Sequence, residues 1–144
     1  MLRKAEISDA RDVAKLAVLL WPDHALSELT EEFEGLLSDP DAAVYLAFRG
    51  GRAVGFAQCQ MRSDYVEGTQ TSPVGYLEGI YVLPQHRGVG IAGELLAACE
   101  DWAREQGGRE FASDCELDNA DSLRFHLKAG FIEANRIICF TKEL

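Results

Sequence analysis

Residues 77–93 read Leu-Glu-Gly-Ile-Tyr-Val-Leu-Pro-Gln-His-Arg-Gly-Val-Gly-Ile-Ala-Gly. The run from Val74 to Leu83 is rich in aromatic and β-branched residues and is stopped by Pro84, which predicts a buried strand. From about Val89 to Gln106, Ala92, Leu95, Leu96, Cys99, Trp102 and Ala103 recur at helical spacing, and Gly107-Gly108 ends the pattern. Between strand and helix lies the loop Gln85-His86-Arg87-Gly88-Val89-Gly90. Spaced glycines there let backbone N–H groups turn inward, and with a helix N-terminus they form a site for phosphates. A plain turn needs neither two spaced glycines nor the adjacent Arg87.

Gly88, Gly90 and Gly93 also fit the spacing G-x-G-x-x-G of dinucleotide-binding folds, with Glu110 about 20 residues further on. Two features weigh against that alternative. Pro84-Gln85-His86-Arg87 separates the first glycine from the strand, and too little chain follows Gly90 for a double-wound sheet.

Outward from this unit the elements come in mixed order. Leu2 to Glu6 is a short strand, and Ser8 is placed to cap a helix carrying Ala10, Val13, Ala14, Leu16, Ala17 and Leu20, which stops near Trp21-Pro22. Ser27 opens a second helix with Leu29, Phe33, Leu36 and Leu37, closed by Asp39-Pro40. Ala43 to Arg49 and Ala53 to Met61 are strands joined as a hairpin through Gly50-Gly51. After the central unit, Glu110 to Ser113 is a strand, Asn119 to Lys128 a helix, and Phe131 to Lys142 a final strand pair or one long strand. The expectation is an α/β chain with a mixed, mostly antiparallel central sheet flanked by helices.

The 144 residues are 47% apolar and 26% charged, which suits one domain over residues 1–144. The net charge is −10, and scattered lysines and arginines argue against a nucleic-acid partner; a cationic small molecule fits better. No membrane partner or secretory leader is legible, and a cytoplasmic protein is expected. Cys59, Cys99, Cys115 and Cys139 lack metal-ligand spacing and predict reduced, buried thiols and no metal.

Gln85-x-x-Gly88-x-Gly90, placed between a hydrophobic strand and a long helix, resembles the acyl-CoA loop of the GNAT acetyltransferases, whose pattern is Arg/Gln-x-x-Gly-x-Gly/Ala. The resemblance implies the GNAT fold and acetyl-CoA as cosubstrate. Loop residues Arg87, Gly88, Val89 and Gly90 would hold its pyrophosphate, while Ile80, Tyr81 and Val82 would bond the pantetheine arm and Asn119 would touch that arm. Gly79 within the strand marks a bulge or a close backbone approach.

A closer resemblance, over nearly the full chain, is to the aminoglycoside 6′-N-acetyltransferases. It is carried by Leu20-Trp21-Pro22-Asp23-His24, Asp64-Tyr65-Val66-Glu67-Gly68, Thr71-Ser72-Pro73-Val74, Leu77 to Pro84, and Phe111-Ala112-Ser113-Asp114. It implies that Trp21, His24, Tyr65, Glu78 and Asp114 line the substrate site, and that the protein is a homodimer. The residues suit that role. Glu78 is a carboxylate in an apolar strand, so a cation or water must compensate it, whether substrate or a structural arginine. Asp114 ends the neighbouring strand, and clustered acids draw a polyamine. Trp21 and Tyr65 offer flat walls for sugars and amines.

The implied chemistry is direct transfer in a ternary complex. Glu78 would act as base on the substrate ammonium, directly or through water, and a strand amide near Ile80 to Val82 would meet the oxyanion. A carboxylate beside an ammonium also stabilises its charged form, so Asp114 is expected to hold ammonium groups while Glu78 handles the reacting one. Two departures stand out: no tyrosine follows Tyr81 to act as a late-strand acid, and Asn135 occupies a position where some relatives carry a substrate-binding glutamate. Glu133 shares its face if that strand is regular. The alternatives are acetylation of another amine, such as a polyamine, a metabolite or a protein N-terminus, and a non-catalytic module that binds acyl-CoA or a drug.

Overall fold

The computed structural model describes residues 1–144. In chain order the elements are β1 (Leu2–Lys4), α1 (Ala10–Leu20), α2 (Leu26–Leu36), β2 (Ala42–Arg49), β3 (Arg52–Arg62), β4 (Val74–Val82), α3 (Ile91–Glu105), β5 (Phe111–Ser113) and α4 (Ala120–Lys128). The five strands lie in sequence order, antiparallel from β1 to β4, with β5 parallel to β4. The expected mixed, mostly antiparallel sheet flanked by helices is what the chain forms.

Local chemistry accounts for the elements. Gly50 and Gly51 both have positive φ, at 58° and 76°, giving the two-residue turn that sets Arg49 opposite Arg52. Side chains alternate across the sheet, so its two faces take different covers. Phe56 meets Trp21 and Phe33 edge-on, each with centroids 6.2 Å away, on the α1–α2 side. A Cβ on the adjacent Gly55 would reach Leu95 of α3 on the other side. The core of 25 buried residues includes Val13, Val44, Leu46, Phe56 and Leu95 and draws on both faces.

Four expectations are corrected. Ser8 does not cap α1: a 3₁₀ turn, Ile7–Asp9, precedes the helix, and Asp9 accepts from the Glu6 N–H at 2.8 Å while pairing with Arg3 at 2.8 and 2.9 Å. Asp9 is the residue that flanks α1, but its carboxylate is turned back to Glu6 and Arg3, so no side chain caps the helix. Ser27 lies inside α2, whose first flanking residue is Ala25. Cys59 and Cys99 are buried as expected, but Cys115 and Cys139 are exposed.

The largest correction concerns the C-terminus. Residues 131–144 carry neither helix nor strand, and Ile132, Ile137, Ile138 and Phe140 are 70–91% exposed. The β-type composition is there, but no strand of this chain lies beside the segment, and strands form by pairing rather than by propensity alone. With no regular strand, Glu133 and Asn135 are not presented on a shared face. No helix is long and apolar enough to cross a membrane.

Candidate active site

Strand β4 organises two clefts. β5 pairs with it only along Gly75–Leu77 and ends at Ser113, so residues 78–82 have no strand on that side and the edge of the sheet opens there as a fork. On its inner side, β4 pairs with β3 at Gln58↔Gly79 and Cys59↔Leu77, leaving Glu78 as the extra residue of a bulge. The bulge re-aims Glu78 and opens the strand where the chemistry is expected.

The first cleft, about 330 Å³, lies at the glycine loop and is lined by Val82, Arg87, Gly88, Gly90, Ile91 and Lys128, among others. Gly88 and Gly90 have φ of +82° and +89°, with open space where a Cβ would stand. Glycine is therefore required here by backbone conformation and not by crowding. Gly90 precedes α3, and no side chain caps that helix, so its first-turn amides are left for a ligand. Arg87 donates from Nε to the Val82 carbonyl at 2.7 Å and lies 5.1 Å from the Tyr81 ring centroid, tying loop to strand. These features fit the pyrophosphate of CoA. Asn119 caps α4, its Oδ1 accepting from the Ser122 N–H at 3.1 Å.

The second cleft, about 310 Å³, includes Trp21, His24, Glu32, Gln58 and Glu78 in its lining. Trp21 rests on Gly79: a Cβ there would lie 2.6 and 2.7 Å from the indole carbons. Of the two alternatives anticipated for Gly79, it provides the close approach, while the bulge falls on the neighbouring Glu78. Gly79→Ala is expected to displace Trp21, costing about 1–3 kcal/mol of stability and raising KM for an aromatic-stacked substrate more than for acetyl-CoA. Thermal unfolding and the two KM values check it.

Glu78 has a cationic partner within the chain. Arg62, at the end of β3, donates from Nη2 to both carboxylate oxygens, with the Oε2 contact at 2.7 Å. The same guanidinium sits 3.5 Å over the Tyr76 ring, and the Tyr76 hydroxyl donates to Asp114. Burial, followed by the bond to Asp114, raises the Tyr76 hydroxyl pKa well above its ordinary value, and Arg62 offsets part of that rise. Arg62 and Tyr76 therefore join the two acids, Glu78 and Asp114, into one cluster.

Tyr65 and Asn135 are not brought into the cleft. Tyr65 is 74% exposed and donates to Glu67 at 3.1 Å, a contact that raises its pKa. Asn135 donates to the other Glu67 oxygen, also at 3.1 Å. Glu133 pairs with Arg136, which lowers its pKa. Glu110, the acid of the dinucleotide alternative, instead accepts from the backbone N–H groups of Gln70 and Thr71 and from the Thr71 hydroxyl at 2.6–2.8 Å, pinning the loop that carries Tyr65.

Three residues escaped the sequence reading: Arg62, Tyr76 and His126. His126 has Nε2 2.8 Å from the Ser113 hydroxyl and Nδ1 2.7 Å from the Ser122 carbonyl, at the base of the β4–β5 fork. A structural arginine beside Glu78 was one of the expected alternatives, and Arg62 is that residue. No group of three or more His, Cys, Asp or Glu is arranged to hold a metal.

The fork, the glycine loop and the uncapped helix define an acyl-CoA-binding fold, and the acetyltransferase (GNAT) family model matches residues 10–131. The chain belongs to the acetyltransferase (GNAT) family. Among its relatives is an aminoglycoside N(6′)-acetyltransferase type 1 of Stenotrophomonas maltophilia, 43% identical over 99% of this chain and 93% of that protein. The solved structure of AAC(6′)-Iy with the bisubstrate analogue CoA-S-monomethyl-acetylneamine superposes with a TM-score of 0.95 at 36% identity, covering 100% of this chain and 98% of that one. The aminoglycoside 6′-N-acetyltransferase AAC(6′)-Ih of Acinetobacter baumannii gives 0.93 at 39% identity, covering 100% and 98%.

Proposed function

We propose that this chain is an aminoglycoside 6′-N-acetyltransferase, transferring the acetyl group of acetyl-CoA to the 6′-amine of an aminoglycoside antibiotic in a ternary complex. The observation that carries the reading is that the two clefts share one strand: Val82 of β4 lines the glycine-loop cleft, and Glu78, four residues earlier, lines the acidic, Trp21-walled one. Acetyl-CoA supplies the acetyl group as an activated thioester. Arg87 and the backbone amides of Gly88, Val89 and Gly90 hold its pyrophosphate, a local device suited to a chain of net charge −10. The open edge of Ile80, Tyr81 and Val82 bonds the pantetheine arm and directs an amide at the carbonyl oxygen. Asn119 has its Oδ1 committed to α4, so it meets the arm through its amide nitrogen.

In the second cleft Trp21 and His24 flank the sugar, and Asp114, outside the lining but linked to Glu78 through Tyr76 and Arg62, holds ammonium groups of the drug. Glu78 accepts the proton of the reacting amine, directly or through one water. Tyr65 and Asn135, joined through Glu67, form an outer rim for the distal rings. Mass and proton NMR spectra of the product test the reading: a single acetyl group on the 6′ nitrogen is expected, and acetylation at another amine overturns it.

The family match over residues 10–131 and one core built from both sheet faces support one catalytic domain, placed in the cytoplasm where acetyl-CoA is made. The exposed apolar residues of the C-terminal segment support a homodimer in which each arm finds its strand partner on the other copy. A protein ending at Phe131 is then expected to sediment as a monomer while the full chain sediments as a dimer. Ile138→Asp with Phe140→Asp tests the same interface in the full-length chain, and a persistent dimer in both refutes the arm's role.

A further inference from the structure

Glu78 faces a demanding requirement. It must take a proton from an ammonium, yet an unopposed carboxylate in a half-buried cleft raises the pKa of that ammonium and keeps it charged. The groups facing Glu78 are Arg62 from β3, Tyr76 from β4, His24 from the α1–α2 connection, Glu32 from α2, and Asp114 through Tyr76. Of these, Arg62 alone carries a permanent positive charge. Its position is specified: Nη2 spans both Glu78 oxygens, the guanidinium carbon lies 3.5 Å from the Tyr76 ring centroid, and Nε is buried with no partner. An orphaned buried donor is costly, so the fold accepts a penalty to keep the charge on Glu78.

We propose that Arg62 is a positioning residue for acetyl transfer: it fixes the Glu78 carboxylate in the cleft and offsets its charge, so that the substrate amine is held without being locked in its protonated form. The proposal rests on Glu78 acting as the base. Arg62 thereby divides the two acids by task. Glu78, opposed by a resident cation, exchanges a proton, while Asp114, bonded only to the Tyr76 hydroxyl and paired with no cation, is left to anchor ammonium groups.

Arg62→Met removes the charge and keeps an apolar stem over Tyr76, and Arg62→Lys restores the charge. The measurements are the kanamycin Kd by calorimetry without acetyl-CoA, kcat, and the pH dependence of kcat/KM for the three proteins and for Glu78→Gln. With Arg62→Met, the drug is expected to bind as tightly as in the wild type or more tightly, while kcat falls about tenfold and the low-pH limb moves up by about one unit. Without the guanidinium the substrate ammonium faces an unopposed carboxylate and loses its proton less readily, which fixes the direction of that shift. Arg62→Lys is expected to return the limb towards its wild-type position. Weaker drug binding with an unmoved limb in Arg62→Met overturns the proposal and leaves Arg62 as scaffold. If the limb moves in Glu78→Gln alone, the base stands without Arg62; if it moves in neither, the base assignment falls as well.

Discussion

Glu78→Gln is expected to lower kcat/KM for an aminoglycoside by about 10²–10⁴-fold at low pH, the usual contribution of a general base. The loss should shrink as pH rises, because the free amine becomes available without help. The bulge at Gln58↔Gly79 places this side chain in the cleft, and glutamine preserves its size while losing the ability to accept the proton. Glutamine also leaves Arg62 without a charged partner, so acetyl-CoA affinity and thermal stability must be measured alongside. An unchanged acetyl-CoA Kd with a low-pH limb displaced to higher pH identifies the chemical role. A pH–rate profile identical to the wild type removes Glu78 from the mechanism.

Gly88→Val should raise the acetyl-CoA Kd by about 100-fold or more. Gly88 sits at φ +82°, a region that a β-branched residue reaches only at a cost of about 1–3 kcal/mol. Nothing stands within 4 Å of the new Cβ, so the loop is free to relax into another conformation, and in doing so it turns its amides away from the phosphates. The damage is confined to the loop, and the thermal midpoint should move by only a few degrees. Calorimetric titration with acetyl-CoA measures the effect; retained affinity would mean that Arg87, Lys128 and the α3 terminus suffice without the loop.

These two positions were legible in the sequence because their signals are local. A glycine pair between strand and helix, or between two strands at Gly50-Gly51, specifies a backbone conformation that few neighbours can alter. A carboxylate inside an apolar strand likewise announces a compensating partner, although not which one. The identity of that partner was out of reach. Arg62 lies 16 residues before Glu78, and it meets the carboxylate only once the β3–β4 register and its bulge are in place. Tyr76 looked like one more strand aromatic, and its bond to Asp114 depends on the parallel pairing of β4 with β5.

The misread segments share a cause. Ser8 and Ser27 are good capping residues by type, but Arg3 fixes Asp9 instead at the first helix, and the second begins at Leu26. The stretch from Phe131 to Lys142 has the composition of a strand, yet a strand is a relation between two segments, and this chain supplies only one of them. Asn135 and Glu133 were placed by assuming that strand, so their positions changed with it.

The most direct test of the central claim is release of CoA thiol by the purified protein with acetyl-CoA and either kanamycin or paromomycin, which carries a hydroxyl in place of the 6′-amine. Turnover with kanamycin and none with paromomycin is the predicted result. Equal turnover with both would contradict acetylation at the 6′ nitrogen, and turnover with neither would contradict the assignment of an aminoglycoside as substrate.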